Sequence, residues 1–328
     1  MIVKDENIEF STRIDFSGLH QKIEELKTEM AKCLVGQDPM VELLLTAILS
    51  NGHILIEGVP GIAKTLSAKL LARTISTEYS RIQFTSDLMP SDVVGTSVFH
   101  PATGSFVFRK GPVFSNIVLI DEINRAPAKT QSALFEVMEE RQVTYDGVTY
   151  PLEFPFLVLA TQNPVDHEGT YRLPEAQLDR FIFKINITYP SAEEEIQIID
   201  LHTLSFENML DKVKAVLSPA EILLFRNQAA MVHLEPRLKE YIVSIVGSTR
   251  NHPFLYLGAS PRASLALVNA SRALAALRGK DFVVPEDIQE LAFPVLRHRI
   301  ILSPEKEMEG ITNDEVIRQI IRKIEVPR

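Results

Sequence analysis

Short apolar runs alternate with amphipathic stretches through the first half of the chain. HILIE (53–57), RIQF (81–84), NIVLI (116–120), PFLVLATQ (155–162) and FIFKINI (181–187) read as strands. AKTLSAKLLARTI (63–75) and PAKTQSALFEVMEERQ (127–142) read as helices between them. Strands that are apolar on both faces and separated by helices predict a parallel sheet covered on both sides. Two hairpin-like segments interrupt the rhythm. GTSVFHPATGSFVFRKGP (95–112) turns at PATG, and QVTYDGVTYPL (142–152) turns at Asp146-Gly147, a strong two-residue turn signal.

After Pro190 the strand signals stop. Helices are expected at 191–204, 219–231, 236–249, 261–278, 286–292 and 313–324. Ser218 and Glu221 have the spacing of a capping box, and Pro285 before Glu286-Asp287 marks another helix start. The pattern predicts an α/β domain over 1–195, bearing both hairpins, and an all-helical domain over 196–328.

Composition narrows the class. Apolar residues make up 45% and charged residues 23% of 328, as in soluble globular proteins. No apolar run approaches the roughly 18 residues of a membrane helix, and MIVKDENIEF does not look like a signal peptide. Cys33, expected as a small buried helix residue, is the only cysteine, which excludes an internal disulfide and any cysteine-based metal site. Together these features point to the cytoplasm. The net charge of -9 disfavours sequence-independent DNA binding, which depends on phosphate neutralisation by Lys and Arg.

The candidate chemistry lies at strand ends. EGVPGIAKT (57–65) is one residue away from the phosphate-loop pattern G-x-x-x-x-G-K-[ST], with Ala63 where the second glycine belongs. Glycine is obligatory only where φ is positive or a side chain would clash, so alanine is tolerated if the chain is already entering the helix. On this stretch alone two readings stand: a nucleotide cradle, or a strand–turn–helix with an incidental Lys-Thr. IVLIDE (117–122) then ends a buried strand in Asp121 and Glu122, and ATQNP (160–164) brings Asn163 to the same C-terminal edge, where parallel sheets bind ligands. Arg180 in PEAQLDRF and Arg262 in GASPRASLAL are further candidates, each by itself as well suited to a surface ion pair.

Taken in order, these motifs resemble the AAA+ ATPases, and most closely their MoxR family. The resemblance spans about residues 30 to 300 and rests on VGQ (35–37), EGVPGIAKT, FTSDLMPSDVVG (84–95), GPVFSNIVLIDEINRA (111–126), QSALFEVMEERQVT (131–144), ATQNP, LPEAQLDRF (173–181) and SPRAS (260–264). It implies a P-loop NTPase core, a five-stranded parallel sheet sandwiched by helices, followed by a helical lid. It implies ATP and Mg²⁺ as ligands. Val35 and Gln37 would lie near the adenine. Gly58, Val59, Pro60, Gly61, Ile62, Ala63, Lys64, Thr65 and Leu66 would wrap the phosphates, with Thr65 and Asp121 serving the metal. Glu122 would activate water and Asn163 would orient it. Arg180 looks like an arginine finger for a neighbouring subunit, Arg262 like a second sensor for its own site, and Arg125 like an interface residue.

The same resemblance implies a homo-oligomeric ring, a hexamer, with the hairpins facing a central pore. It implies a partner carrying a von Willebrand A domain and a protein client that ATP hydrolysis remodels or matures. Two other readings share this core. A nucleic-acid motor would use Phe106, Phe108, Arg109 and Lys110 of the first hairpin, and a chelatase subunit would insert metal into a tetrapyrrole. A non-catalytic switch is disfavoured by Glu122, a carboxylate with no use in a scaffold.

Overall fold

The computed structural model describes residues 16–58, 64–102, 104–163, 171, 173–203 and 210–327. Two helices come first, α1 (Ser17–Ala31) and α2 (Asp38–Leu49). The sheet is built from β1 (His53–Glu57), β2 (Tyr79–Gln83), β5 (Ile117–Asp121), β8 (Leu157–Gln162) and β9 (Phe181–Asn186), in the order β2-β5-β8-β1-β9. Every neighbouring pair is parallel. Helices α3 (Lys64–Thr74) and α5 (Ala128–Glu140) follow β1 and β5, with short α4 (Pro90–Val94) before the first hairpin.

The runs without alternation behave as expected. Ile54 and Ile56 join one apolar core, against α1, α2 and α3. Leu55, with Val118 and Ile120 of β5, joins a second core on the other face, against Leu134, Phe135 and Met138 of α5. Each such side chain taken from water contributes about 1.5–3 kcal/mol. Buried His53 ties these layers together: its Nδ1 accepts from the Val158 N–H at 3.0 Å, and its Nε2 donates to the Met138 carbonyl at 3.1 Å. Burial holds this imidazole down to about 3, so it is neutral.

The hairpins are β3 (Gly95–His100) with β4 (Ser105–Lys110), and β6 (Gln142–Tyr145) with β7 (Val148–Pro151). Asp146 and Gly147 both take positive φ, 50° and 75°, as a type I′ turn requires. The two hairpins form one unit, because Phe108 stacks on Tyr145 and Tyr150 with ring centroids 4.9 and 4.7 Å away.

Short α6 (Glu175–Leu178) precedes β9, and α7 (Ala192–Thr203) follows it. The lid comprises α8 (Pro219–Ala230), α9 (Pro236–Arg250), α10 (Pro261–Leu277), α11 (Pro285–Leu296), α12 (Pro304–Met308) and α13 (Asn313–Lys323). Ser218 and Glu221 exchange the two capping bonds their spacing predicts. One expectation needs correction: the lid is not entirely helical. Strands β10 (Leu255–Leu257) and β11 (Ile301–Leu302) pair antiparallel and fasten the loop before α10 to the segment after α11. Segments of three and two residues carry no periodicity to read. The lid shares the first apolar core with α1 and α2. Among the described residues no helix is long and apolar enough to cross a membrane.

Candidate nucleotide site at the strand ends

The C-terminal ends of β1, β5 and β8 open into a cavity of about 730 Å³. Of the residues singled out from the sequence, Val35, Gln37, Gly58, Lys64, Thr65, Leu66, Asp121, Glu122 and Asn163 line it together. Val59, Pro60, Gly61, Ile62 and Ala63 lie outside the described residues, and so does the backbone angle on which the Ala63 argument turned. Cys33 is buried as expected, though it sits just past the end of α1, and it lines the same cavity. Gly36 of the VGQ motif has φ +69°, the left-handed conformation that favours glycine, and a Cβ there would displace the Glu194 carboxylate.

The polar part of the cavity is held by side chains on three adjacent strands. Asp121 ends β5, and its Oδ1 accepts from the Thr161 hydroxyl of β8 at 3.2 Å. The same hydroxyl accepts the Glu122 N–H at 3.0 Å. Glu122 is left-handed, with φ 56° and ψ 55°. A non-glycine residue seldom takes that conformation, and such outliers gather at functional sites. Its Oε2 accepts from Gln83 Nε2 at 3.0 Å and lies 3.0 Å from Arg125 Nε. Asp121 Oδ2 accepts from Arg81 Nε at 2.5 Å. Arg81, Gln83 and Thr161 were not picked out from the sequence. Arg81 and Gln83 share the alternation of an edge strand, and nothing in a sequence distinguishes them from solvated polar residues.

Lys64 opens α3, and its Nζ donates to the Gly58 carbonyl at 2.5 Å. Burial lowers its pKa, opposed by the fields of Asp121, Glu122 and Glu57. It makes no ion pair among the described residues. A half-buried ammonium at a helix start, facing a cavity of nucleotide size, suits a phosphate. Asp121 and the Thr65 hydroxyl are hard oxygen donors, of the kind Mg²⁺ takes in ones and twos alongside phosphate oxygens. No larger cluster of metal-ligating side chains occurs among the described residues. The residues present therefore fit both ATP and Mg²⁺.

Residues 53–183 match the profile of the ATPase family associated with various cellular activities (AAA), and residues 247–320 match the AAA lid domain. The chain is 45% identical to Chaperone MoxR1 of Mycobacterium tuberculosis, over 92% of this chain and 81% of that one. It is 30% identical to Protein MoxR of Paracoccus denitrificans, over 89% and 92% of the two chains. The chain belongs to the MoxR family of AAA+ ATPases. A crystal structure from Cytophaga hutchinsonii, provisionally described as an ATPase, superimposes with a TM-score of 0.89 at 45% identity, covering 95% of this chain and 97% of its own.

Two arginines of this MoxR-family chain stand apart from the cavity. Arg180 donates through Nη1 to the Phe135 carbonyl and pairs through Nε with Glu139 at 3.2 Å. Arg262, on the first turn of α10, donates through Nη2 to the other oxygen of Glu139 at 2.8 Å. One carboxylate at the end of α5 thus gathers both arginines, and neither lines the cavity. Asp179, beside Arg180, accepts from Ser260 Oγ at 2.8 Å and from buried Arg299 at 2.6 Å, joining the start of β9 to the lid.

Proposed function

We propose that the cavity binds ATP with Mg²⁺ and hydrolyses it, and that the chain uses this cycle to remodel or mature protein clients, as the name of its mycobacterial relative suggests. The observation that carries the reading is Lys64: a half-buried cation without an ion pair among the described residues, in one cavity with Asp121 and Glu122. Lys64 and the N-terminus of α3 bind the phosphates. Thr65 and Asp121 hold the metal, which when bound neutralises developing phosphate charge. Glu122 accepts the proton of the attacking water. Its left-handed backbone and its bonds to Gln83 and Arg125 set where the carboxylate points. Asn163 orients the same water. Val35 and Gln37 take the base, beside the apolar wall of Leu34, Ile198 and Leu201. Phosphoryl transfer asks chiefly for positioning and charge compensation, which this arrangement supplies.

Arg180 lies outside its own cavity, which suits action on a neighbouring copy in a homo-oligomeric ring, with a hexamer as the reading of ring size. Arg262 is placed with Arg180 on Glu139, so service to its own site requires that contact to open. We place the border between core and lid at residues 195/196, within α7, and assign a cytoplasmic location and a von Willebrand A domain partner to the working complex. A nucleic-acid motor is less well supported. Of the four hairpin residues it needs, Phe108 is committed to stacking on two tyrosines, and Lys110 lies over the Phe114 ring at 5.0 Å.

Isothermal titration tests the site directly. Wild-type chain should bind Mg-ATP, and Lys64→Ala should lose that binding while keeping its thermal midpoint. Equal binding by the two proteins would remove the phosphates from Lys64 and overturn the reading.

A further inference from the structure

The cavity contains a second cation for which the reaction above has no use. Arg81 lies on edge strand β2, paired in register with Leu119 of β5, while Gln83 is paired with Asp121. Its side chain runs along the strand toward the cavity. Nε donates to Asp121 Oδ2 at 2.5 Å, and Nη2 reaches Gln83 Oε1 at 3.5 Å. With the Thr161 hydroxyl on Oδ1, both oxygens of Asp121 are engaged by protein donors. The arginine is the more exposed member of the pair, its side chain 51% exposed against 12% for Asp121.

A guanidinium and a dication repel each other at a shared carboxylate oxygen. The carboxylate cannot withdraw, since it ends a strand buried along its whole length and is tied to Thr161. The arginine can leave for water once the metal takes over the carboxylate's charge, because its own half-exposed head regains hydration while Asp121 stays compensated. While Arg81 stays, it offsets the Asp121 charge, as Arg125 does that of Glu122, and so lessens the repulsion a phosphate meets. We propose that Arg81 is a placeholder cation at Asp121, which neutralises the carboxylate in the absence of metal and is displaced toward solvent when Mg²⁺ arrives with the nucleotide. The inference rests on the reading of the cavity as an ATP site, and makes Arg81 the residue that sets how strongly binding depends on the metal.

The two effects of removing Arg81 act in one direction. Without it, bare Asp121 repels metal-free nucleotide, and Mg²⁺ meets no competitor. Because the coupling between two ligands is reciprocal, both effects enlarge the gain in nucleotide affinity that Mg²⁺ brings. The test is titration with the non-hydrolysable analogue AMP-PNP, in Mg²⁺ and in EDTA, on wild type, Arg81→Met and Arg81→Lys. The ratio of the two Kd values should rise about tenfold or more in Arg81→Met, with less Mg²⁺ needed for half-saturation. Arg81→Lys keeps the charge but not the rigid fork, so its ratio should rise by less. If Arg81→Met does not fold, as judged by its circular dichroism, the lysine variant decides by the same comparison. Ratios equal to wild type within twofold, with wild type binding normally in Mg²⁺, would overturn the placeholder role alone. No binding of AMP-PNP by wild type in Mg²⁺ would overturn the nucleotide site and the placeholder with it.

Discussion

Two guanidinium–carboxylate clusters sit at opposite ends of the same sheet, and they differ in how their arginines are held. At the cavity, Arg81 and Arg125 pair with Asp121 and Glu122 while their own side chains remain 51% and 53% exposed. At the lid junction, Arg299 is 3% exposed, paired with Asp179 and bonded to the carbonyls of Phe181, Ile182 and Val295. In the first cluster water competes for each arginine, so the guanidinium can give up its carboxylate when another ligand arrives. In the second, loss of Asp179 strands the Arg299 charge where water cannot reach it. The residue types are the same in both places. Burial of the arginine separates a set of charges that can change partners from one that locks the lid to β9.

Four perturbations break or sharpen that contrast. The largest effect belongs to the cavity. Glu122→Gln should lower ATP turnover by about 10²–10⁴-fold, the usual worth of a positioned base, with little change in the unfolding midpoint. A large loss of stability with turnover intact would erase the distinction from one side. Arg299→Met should do the reverse, costing about 3–5 kcal/mol by urea denaturation because the carbonyls of Phe181, Ile182 and Val295 lose their buried donor and Asp179 loses its cation. A cost below about 1 kcal/mol would show the junction to be as exchangeable as the cavity.

Acid should weaken the buried regions next. Burial holds His53 down to about 3 and His298 well below the ordinary histidine range, so both are neutral when folded. The unfolded chain takes up protons at these residues below about 6.5, and then binds more of them than the folded chain does. Stability from these groups is therefore full above that pH and declines below it, by about 1.4 kcal/mol per pH unit for each imidazole. Urea midpoints between pH 7.5 and 5.5 should fall in wild type and fall less steeply in His53→Gln; parallel declines would contradict the assignment. The smallest effect is expected at the second hairpin. Gly147 has φ 75° with open space around it, so Gly147→Ala should cost only the left-handed backbone penalty of about 1 kcal/mol. A larger loss would mean that the hairpin tip is packed as tightly as the junction.

The sequence made some of this legible and hid the rest for physical reasons. Strands such as β1, β5 and β8, apolar on both faces, announce a covered parallel sheet, and the Asp146-Gly147 turn announces its hairpin, because each depends on neighbours in sequence. Asp121, Glu122 and Asn163 are readable for the same reason: each ends or directly follows a strand, and Lys64 opens the helix that comes after β1. Thr161, Arg81 and Gln83 are not readable, since their bonds to Asp121 and Glu122 depend on which strands lie side by side. The meeting of Arg180 and Arg262 on Glu139 joins residues 123 apart, and Arg299 meets Asp179 across 120 positions. Such contacts leave no local pattern. Strands β10 and β11 escaped notice simply because they are too short to show one.

The central claim is that this cavity turns over ATP when a neighbouring copy supplies Arg180. Turnover per protomer, measured against protein concentration with Glu122→Gln as the blank, tests it most directly. The account predicts a rate that climbs from the blank as the chain assembles, and that stays low at all concentrations in Arg180→Ala. A rate above the blank that does not change with concentration, and that Arg180→Ala leaves intact, would contradict it.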